Sequence, residues 1–358
     1  MHRKRVCVFA GDEASPEAVL PSLEVLKTLQ LPIDYLEPSI NKDELKQGRL
    51  PSEVKKAIDE ADTTLFGAAS WLSTPILFYL RWGLETYANV RPNQYMIGCQ
   101  SPLKNPERVD YLMVRENLEE LYPGREGDIS LLRERLPEIK DPTGASVKNL
   151  KDGKFALRVI TEERTRKLAE FTVRLAYKRK KAGYPGRISC FTKSNMLEQS
   201  DGLFKSVVES VVKQHTDLHY DHFIVDDAAR RLVASPEQFD VIVLPNLYGD
   251  ILSDVGAGTI GGLGLTPSAC YGDTKAYFEP VHGTAPDLLG KNIINPTATL
   301  LSAAMMLDYL GFPDASQQLE SCVKAVYREG KIIPVDQGGQ ATTTAFCEAV
   351  KAKLQTGA

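Results

Sequence analysis

At 358 residues and 43% hydrophobic content, the chain can bury a sizeable core and is long enough to divide into two domains. A formal net charge of −4 gives no electrostatic footprint for nucleic acid or an anionic membrane, and no apolar run reaches bilayer length. The six cysteines form no CxxC pair, which points to reduced core thiols of a cytoplasmic protein and away from a disulfide framework or a zinc site.

The start, MHRKRVCVFAGDE, passes from basic residues straight into a strand-like run, unlike a signal peptide. Arg5 to Ala10 reads as a strand, followed by Gly11-Asp12 and a helix opened by Ser15 as its capping residue with Pro16 in the first turn. Ile33 to Leu36 is a second strand, Pro51 to Glu60 a helix and Thr63 to Ala69 a third strand, so the pattern is α/β. No turn carries GxGxxG, and the common dinucleotide fingerprint is missing. Trp71 to Leu84 reads as a loop and then a helix, Asn89 to Pro92 as an extended segment, and Tyr111 to Asn117 as a strand. Arg81, Arg91 and Arg115 thus fall at element ends. Together they could clamp a di- or tricarboxylate, because guanidinium and carboxylate geometries match.

Between Pro123 and Leu157 hydrophobic periodicity weakens and Gly, Pro, Lys and Asp become frequent, as in a protruding arm. Thr161 to Lys181 is a long amphipathic helix whose closing Lys178-Arg179-Lys180-Lys181 complements its dipole. A strand from Ile188 to Thr192 leads into Lys193-Ser194-Asn195, and Gly202 to His215 is the next helix. His215, His219 and His222 have a helical metal-site spacing. Leu218 to Val225, however, alternates like a strand, which sets His219 and His222 on opposite faces and ends at Asp226-Asp227.

The stretch FDVIVLPNLYGDILSDVGAGTIGGLGL, Phe239 to Leu265, carries the sharpest chemistry. Val241 to Leu244 reads as a strand buried on both faces, which Pro245 and Asn246 end. After a turn at Gly249, Asp250 and Asp254 share one helix face at i and i+4. A hard divalent cation at a strand's carboxyl end would relieve their repulsion; the alternative is a helix start that takes Asp for its dipole, with Asp254 solvated. Ala276 to Asp287 follows as a loop punctuated by Pro and Gly, Asn295-Pro296 starts a helix running from Ala298 to Tyr309, and the last helix runs from Thr342 to Leu354.

NLYGDILSDVGAGTIGGLGL closely resembles the signature of the β-decarboxylating dehydrogenases, which include isocitrate, 3-isopropylmalate, homoisocitrate and tartrate/D-malate dehydrogenases. YANVRP, VREN followed by Tyr122, TKSN, IVDD, FEPVHGTAPD and INPTATLLSAAMMLDYLG extend the resemblance over nearly the whole chain. It implies an isopropylmalate-dehydrogenase-like fold with a large discontinuous cofactor-binding domain, residues 1–92 and 247–358, and a smaller central domain, 93–246. An arm at about 123–160 clasps a second copy, giving a homodimer with shared active sites. By the same resemblance Arg81, Arg91 and Arg115 bind substrate. Asp250 and Asp254 hold Mg²⁺ or Mn²⁺, with Asp226 contributed by the neighbouring subunit. Lys193, also from the neighbour, assists removal of the hydroxyl proton, and Tyr122 protonates the product enol. Asn195 joins the substrate residues, and His282, Gly283, Asp287, Asn295 and Glu279 the cofactor residues.

The implied reaction is the oxidative decarboxylation of a 3-substituted malate. The residue after HGTAP is Asp287, and a carboxylate there accepts the ribose hydroxyls of NAD and repels a 2′-phosphate. The C3 substituent is read in the family by the turn ahead of the first arginine, here Thr74, Pro75, Leu77 and Phe78. Pro75 and Leu77 offer no donor to a further carboxylate, which favours 3-isopropylmalate or a malate-like acid, with homoisocitrate as the alternative. A non-catalytic regulatory subunit is the competing class, but such subunits usually lack one of the acids, the lysine or the tyrosine, and all are present here. Three departures stand out: GDEASPE for GDGIGPE, VRENLEE for VRENTEG, and a longer arm.

Overall fold

The computed structural model describes residues 3–356; Met1 and His2, on which part of the signal-peptide reading rests, lie outside them. Twelve strands occur among the described residues: β1 (Lys4–Phe9), β2 (Ile33–Leu36), β3 (Thr63–Phe66), β4 (Ala88–Gln94), β5 (Asp110–Glu116), β6 (Glu126–Asp128), β7 (Lys154–Ala156), β8 (Arg187–Thr192), β9 (His219–Ile224), β10 (Val241–Leu244), β11 (Pro267–Tyr271) and β12 (Ala276–Pro280). The helices are α1 (Ser15–Lys27), α2 (Lys42–Lys46), α3 (Ser52–Glu60), α4 (Thr74–Phe78), α5 (Ile129–Arg135), α6 (Glu162–Lys181), α7 (Ser200–Val212), α8 (Val225–Ala234), α9 (Asn246–Ile260), α10 (Thr297–Tyr309), α11 (Pro313–Glu329) and α12 (Thr343–Thr356).

Ten strands form one sheet in the order β2-β1-β3-β12-β11-β4-β5-β10-β8-β9. The first four run parallel, as do the last four, while β11 and β4 are antiparallel to their neighbours. The two parallel blocks therefore point in opposite directions. Both faces are covered, as the residues of β10 show: Val241 and Val243 pack toward α6 and α7, Ile242 and Leu244 toward α8 and α9. A strand walled in on both sides has no use for polar residues, which is why VIVL reads as an uninterrupted apolar run.

Four local expectations change. Ala276 to Pro280 is a strand, not the start of a loop: Tyr277 and Phe278 are buried between β11 and β3, Pro280 closes the strand, and Gly283 and Pro286 lie beyond it. α9 begins at Asn246, so Gly249 lies within the helix and is no turn. A Cβ on Gly249 would stand 2.5 Å from Cγ of Arg115, so the glycine there lets an arginine pass. Ser15 is inside α1 rather than its cap; its hydroxyl accepts the Ala68 amide at 2.9 Å. The helix expected before Leu84 is α4 followed by a wider turn, with Leu84 and Thr86 amides donating to carbonyls five residues back at 2.9 and 3.0 Å.

The arm carries the hairpin β6–β7 and α5. Its apolar side chains Leu131, Leu136, Ile139 and Leu150 stand exposed. β9 sets His219 and His222 three residues apart on a strand, and His222 hydrogen-bonds Thr192 at 2.8 Å. Lys178, Arg179 and Lys180 each pair with an acid, Asp308, Asp240 and Asp217 respectively. All six cysteines are buried and none is in a disulfide among the described residues, and no helix among those residues is long and apolar enough to cross a membrane.

Candidate functional site

β5 and β10 are parallel neighbours with Leu244 opposite Arg115. α9 follows β10 after a single residue, so its first turn comes down beside Arg115. That arginine is 1% exposed. It donates from Nε and Nη2 to Oδ1 of Asn246, at 3.0 and 2.7 Å, and from Nη1 to Asp250. Burial, and then the charge of Arg91, bring its pKa down to about 10. A guanidinium this deep needs a carboxylate, and Asp250 is that carboxylate. Burial alone would raise the pKa of Asp250, but Arg115 and a hydrogen bond from Tyr122 outweigh it and hold the acid below its ordinary range.

The Tyr122 hydroxyl donates to the second oxygen of Asp250, and its ring lies 4.7 Å from the Arg115 guanidinium. Burial and the Asp250 bond push its pKa up to about 12, so the phenol keeps its proton near neutral pH. Arg91, on β4, is fixed by Asn89 at 2.8 Å and Ser253 at 2.6 Å and reaches Asp250 and Asp254 at 3.5 and 3.8 Å. Burial first, and then the charge of Asp250, raise the pKa of Asp254. Arg81 lies against Tyr277 and Glu279; burial opposes its charge, but these neighbours more than compensate and raise its pKa. Its buried Nε has no hydrogen-bond partner among the described residues.

The structure thus brings Arg81, Arg91, Arg115, Tyr122, Asp250 and Asp254 into one group. Glu279 joins them, beside the arginines and apart from the other predicted cofactor residues. In the turn ahead of Arg81, the Thr74 hydroxyl is spent on the Ser70 carbonyl at 3.0 Å. Leu77 is half-buried against the core, and Phe78 is exposed, edge-on to Trp82 with centroids 4.9 Å apart.

Lys193 and Asp226 form a second, separate group. Lys193 follows β8 and its ammonium bonds the Asp226 carboxylate, which opens α8 and is 67% exposed. Asn195 is exposed in the turn after Lys193. Among the described residues no three His, Cys, Asp or Glu side chains cluster as a metal site. Within one chain the carboxylates that could meet a cation in this group are the two on α9, hard oxygen donors of the kind Mg²⁺ and Mn²⁺ take, and Asp226 stands with Lys193 instead.

The loop after β12 carries His282, Gly283 and Asp287. Asp287 is exposed in a short turn entered through Ala285 at φ 47°. The Glu17 carboxylate of α1 holds the loop by accepting the Gly290 and Asn292 amides, and Glu13 accepts from Thr284. His282 bonds the Gly283 carbonyl at 2.9 Å, and burial lowers its pKa. Asn295 is buried, its side chain shared among Tyr327, Asp336 and the Thr297 amide. Of GDEASPE, Asp12 accepts from the amides and hydroxyls of both Ser70 and Ser73, clamping the turn before α4. Glu13, where the family has glycine, keeps the left-handed backbone at φ 52°.

Sequence reasoning overlooked Asn246, which binds Arg115 from the first residue of α9 and donates to the Glu119 carbonyl at 3.2 Å. The signal was inside the quoted motif, where Asn246 had been read as a strand terminator. It also overlooked Asn89 and Ser253, the two side chains that fix Arg91.

The family model described as isocitrate/isopropylmalate dehydrogenase matches residues 5–350. The 3-isopropylmalate/3-methylmalate dehydrogenase of Methanocaldococcus jannaschii is 38% identical over 99% of this chain and 99% of its own. The isocitrate/homoisocitrate dehydrogenase of Thermus thermophilus is 40% identical over 98% and 99%. Among solved structures, isocitrate dehydrogenase from Methylococcus capsulatus superposes with a TM-score of 0.85 at 30% identity, covering 99% of this chain and 100% of that one. The chain therefore belongs to the isocitrate/isopropylmalate dehydrogenase family, decarboxylating dehydrogenases that depend on a nicotinamide cofactor and a divalent metal.

Proposed function

We propose that this chain is an NAD⁺-dependent oxidative decarboxylase of a 3-substituted malate, preferring a small or apolar C3 group as in 3-isopropylmalate or malate itself, and acting as a homodimer. The observation that carries this reading is the Arg115–Asp250–Tyr122 contact set with Arg91 and Arg81 beside it. Three arginines match the carboxylates of such an acid. Asp250 and Asp254, joined by Asp226 of a neighbouring copy, would hold Mg²⁺ or Mn²⁺, which when bound supplies Lewis-acid polarisation of the substrate oxygens.

Chemistry then falls to the chain's own side chains. Lys193 of the neighbouring copy, acting as the free amine, takes the C2 hydroxyl proton while the C2 hydride passes to NAD⁺. The resulting 2-oxo acid loses its C3 carboxylate as carbon dioxide, the bonding pair staying on the carbon skeleton, and Tyr122 returns a proton to C3. The arginines orient and partly neutralise the carboxylates. The exposed carboxylate of Asp287 supports NAD⁺ over NADP⁺, and the half-buried, apolar Leu77 supports an apolar substituent. The domain division expected above, 1–92 with 247–358 and 93–246, is part of the same proposal.

Homoisocitrate is the second reading, supported by the 40% identity to the Thermus isocitrate/homoisocitrate dehydrogenase. The test is kcat/KM of the purified chain with Mn²⁺ and NAD⁺ against isopropylmalate, malate, homoisocitrate and isocitrate. The expected order has isopropylmalate or malate first; isocitrate on top overturns the reading of Leu77 and Phe78.

A further inference from the structure

α9 carries Asp250 and Asp254, yet it has no cap of its own: the residue ahead of it is Pro245, whose side chain makes no capping bond. The first turn of a helix leaves backbone amides without partners, and burying them unpaired is costly. The partner comes from another segment. Glu120, two residues before Tyr122, turns its carboxylate onto the Leu247 amide in that first turn. Glu120 is 1% exposed and sits in the left-handed region at φ 71°, a conformation an L side chain enters at a cost. It occupies the glycine position of VRENTEG. Strain and burial of a charge are both tolerated here, so the surrounding contacts must over-determine the position.

Those contacts lead onward. The other Glu120 oxygen accepts from Arg158 Nε at 2.6 Å, and the Glu120 amide donates to the Val159 carbonyl at 2.9 Å, pinning the base of the arm. Arg158 donates through Nη1 to Asp201, which is 0% exposed, and lies 5.2 Å from the Tyr248 ring on α9. The second oxygen of Asp201 accepts the backbone amide of Lys193. One buried chain of charges, Glu120–Arg158–Asp201, therefore runs from the helix that bears Asp250 to the turn that bears Lys193.

We propose that Glu120 is a positioning residue, whose carboxylate caps α9 and, through Arg158 and Asp201, sets the Lys193 turn in register with Asp250 and Tyr122. This rests on the reaction proposed above for its catalytic consequence. If Lys193 serves the neighbouring copy's site, the same chain of contacts ties a protomer's own site to the one it completes. Two long side chains locked in one buried geometry form a stiff link, whereas a glycine at 120 would leave the arm base and the Lys193 turn without the carboxylate that joins Arg158 to the first turn of α9.

Glu120→Gly decides the matter, because it relieves the strained backbone while deleting both carboxylate contacts. Amide exchange by mass spectrometry, on the full chain without substrate, follows peptides covering Leu247 and Lys193. The expected result is faster exchange at Leu247 and also, about tenfold or more, at Lys193, which Glu120 does not touch. With the substrate and cofactor found best by the panel, kcat should fall about ten- to a hundredfold while KM changes less than about threefold, the signature of misplaced catalytic groups. Unchanged exchange at Lys193 overturns the link, and faster exchange with kcat intact overturns the positioning role. Should Glu120→Gly not fold, Glu120→Gln, which loses the charge on Arg158, carries the same two readouts. Because the exchange measurement needs no turnover, it judges the link even if no acid in the panel reacts, an outcome that would instead defeat the proposed reaction.

Discussion

The two groups of candidate residues are built differently. Around Arg115 the buried guanidinium is answered within the chain: it is spanned by Asn246 and Asp250, and Asp250 is shared with Tyr122. Around Lys193 there is one ion pair with an acid that stands mostly in solvent. The first group is preorganised inside a single chain, its geometry fixed by a strand end, a helix start and the packing between them. The second is a pair of side chains just beyond the ends of neighbouring strands. That division fits the proposal that a second copy completes the site, as do the exposed apolar side chains of the arm.

The largest break in this contrast comes from the finished half. Asp250→Asn keeps the shape but strips Arg115 of its charge partner and the proposed cation of a donor, so turnover should fall on the order of 10³-fold with far-UV circular dichroism unchanged. Full activity of the unaltered protein in excess chelator would contradict the metal role. Lys193→Met, in the exposed half, removes a general base and should reduce NADH formation by about 10²-fold or more while leaving melting nearly unaffected, since its ion pair is solvent-exposed. Tyr122→Phe should cut carbon dioxide release by roughly tenfold or more relative to NADH formed. An unchanged ratio and rate would remove the tyrosine from proton transfer.

Smaller effects sharpen the comparison. Leu77→Ala should shift relative kcat/KM between isopropylmalate and malate by about 1–3 kcal/mol, read from competition assays. Acid titration of a variant isolates the part played by Asp250. The folded pKa of Asp250 lies below the ordinary value of 3.8, so the unfolded chain binds the extra proton. The stabilisation is complete above that value and is lost as pH falls through the lower folded one. The acid limb of the melting curve should therefore be shallower in Asp250→Asn than in the parent, and an identical limb would mean that Asp250 is not held ionised.

Much of this was legible in the sequence where the chemistry is local. VIVL declared a strand buried on both faces and the i, i+4 aspartates declared a shared helix face, but of the three arginines read at element ends only Arg115 stands near one: Arg91 lies midway along β4 and Arg81 inside the wide turn after α4. What was not legible depends on partners distant in the chain or on backbone geometry. Glu120 and Arg158 are 38 residues apart, Arg158 and Asp201 43, and no spacing rule joins them. That Glu13 and Glu120 would retain left-handed backbone where the family has glycine is visible only in φ. β12 was missed because its five residues abut a Pro- and Gly-rich loop, and in so short a strand burial decides the conformation more than composition does.

The contrast between the halves reduces to whether Asp250 and Lys193 of different copies meet. Asp250→Asn and Lys193→Met should each be nearly inactive alone. When the two variants are mixed, dissociated and reassembled, a shared site gives mixed dimers with one intact pair, Asp250 from the lysine variant and Lys193 from the aspartate variant. Half the dimers are mixed and half their sites intact, so about a quarter of the parent activity should return. No recovery, with mixed dimers demonstrated by mass spectrometry, would show that both residues act within one chain and that the division into a finished and a waiting half is wrong.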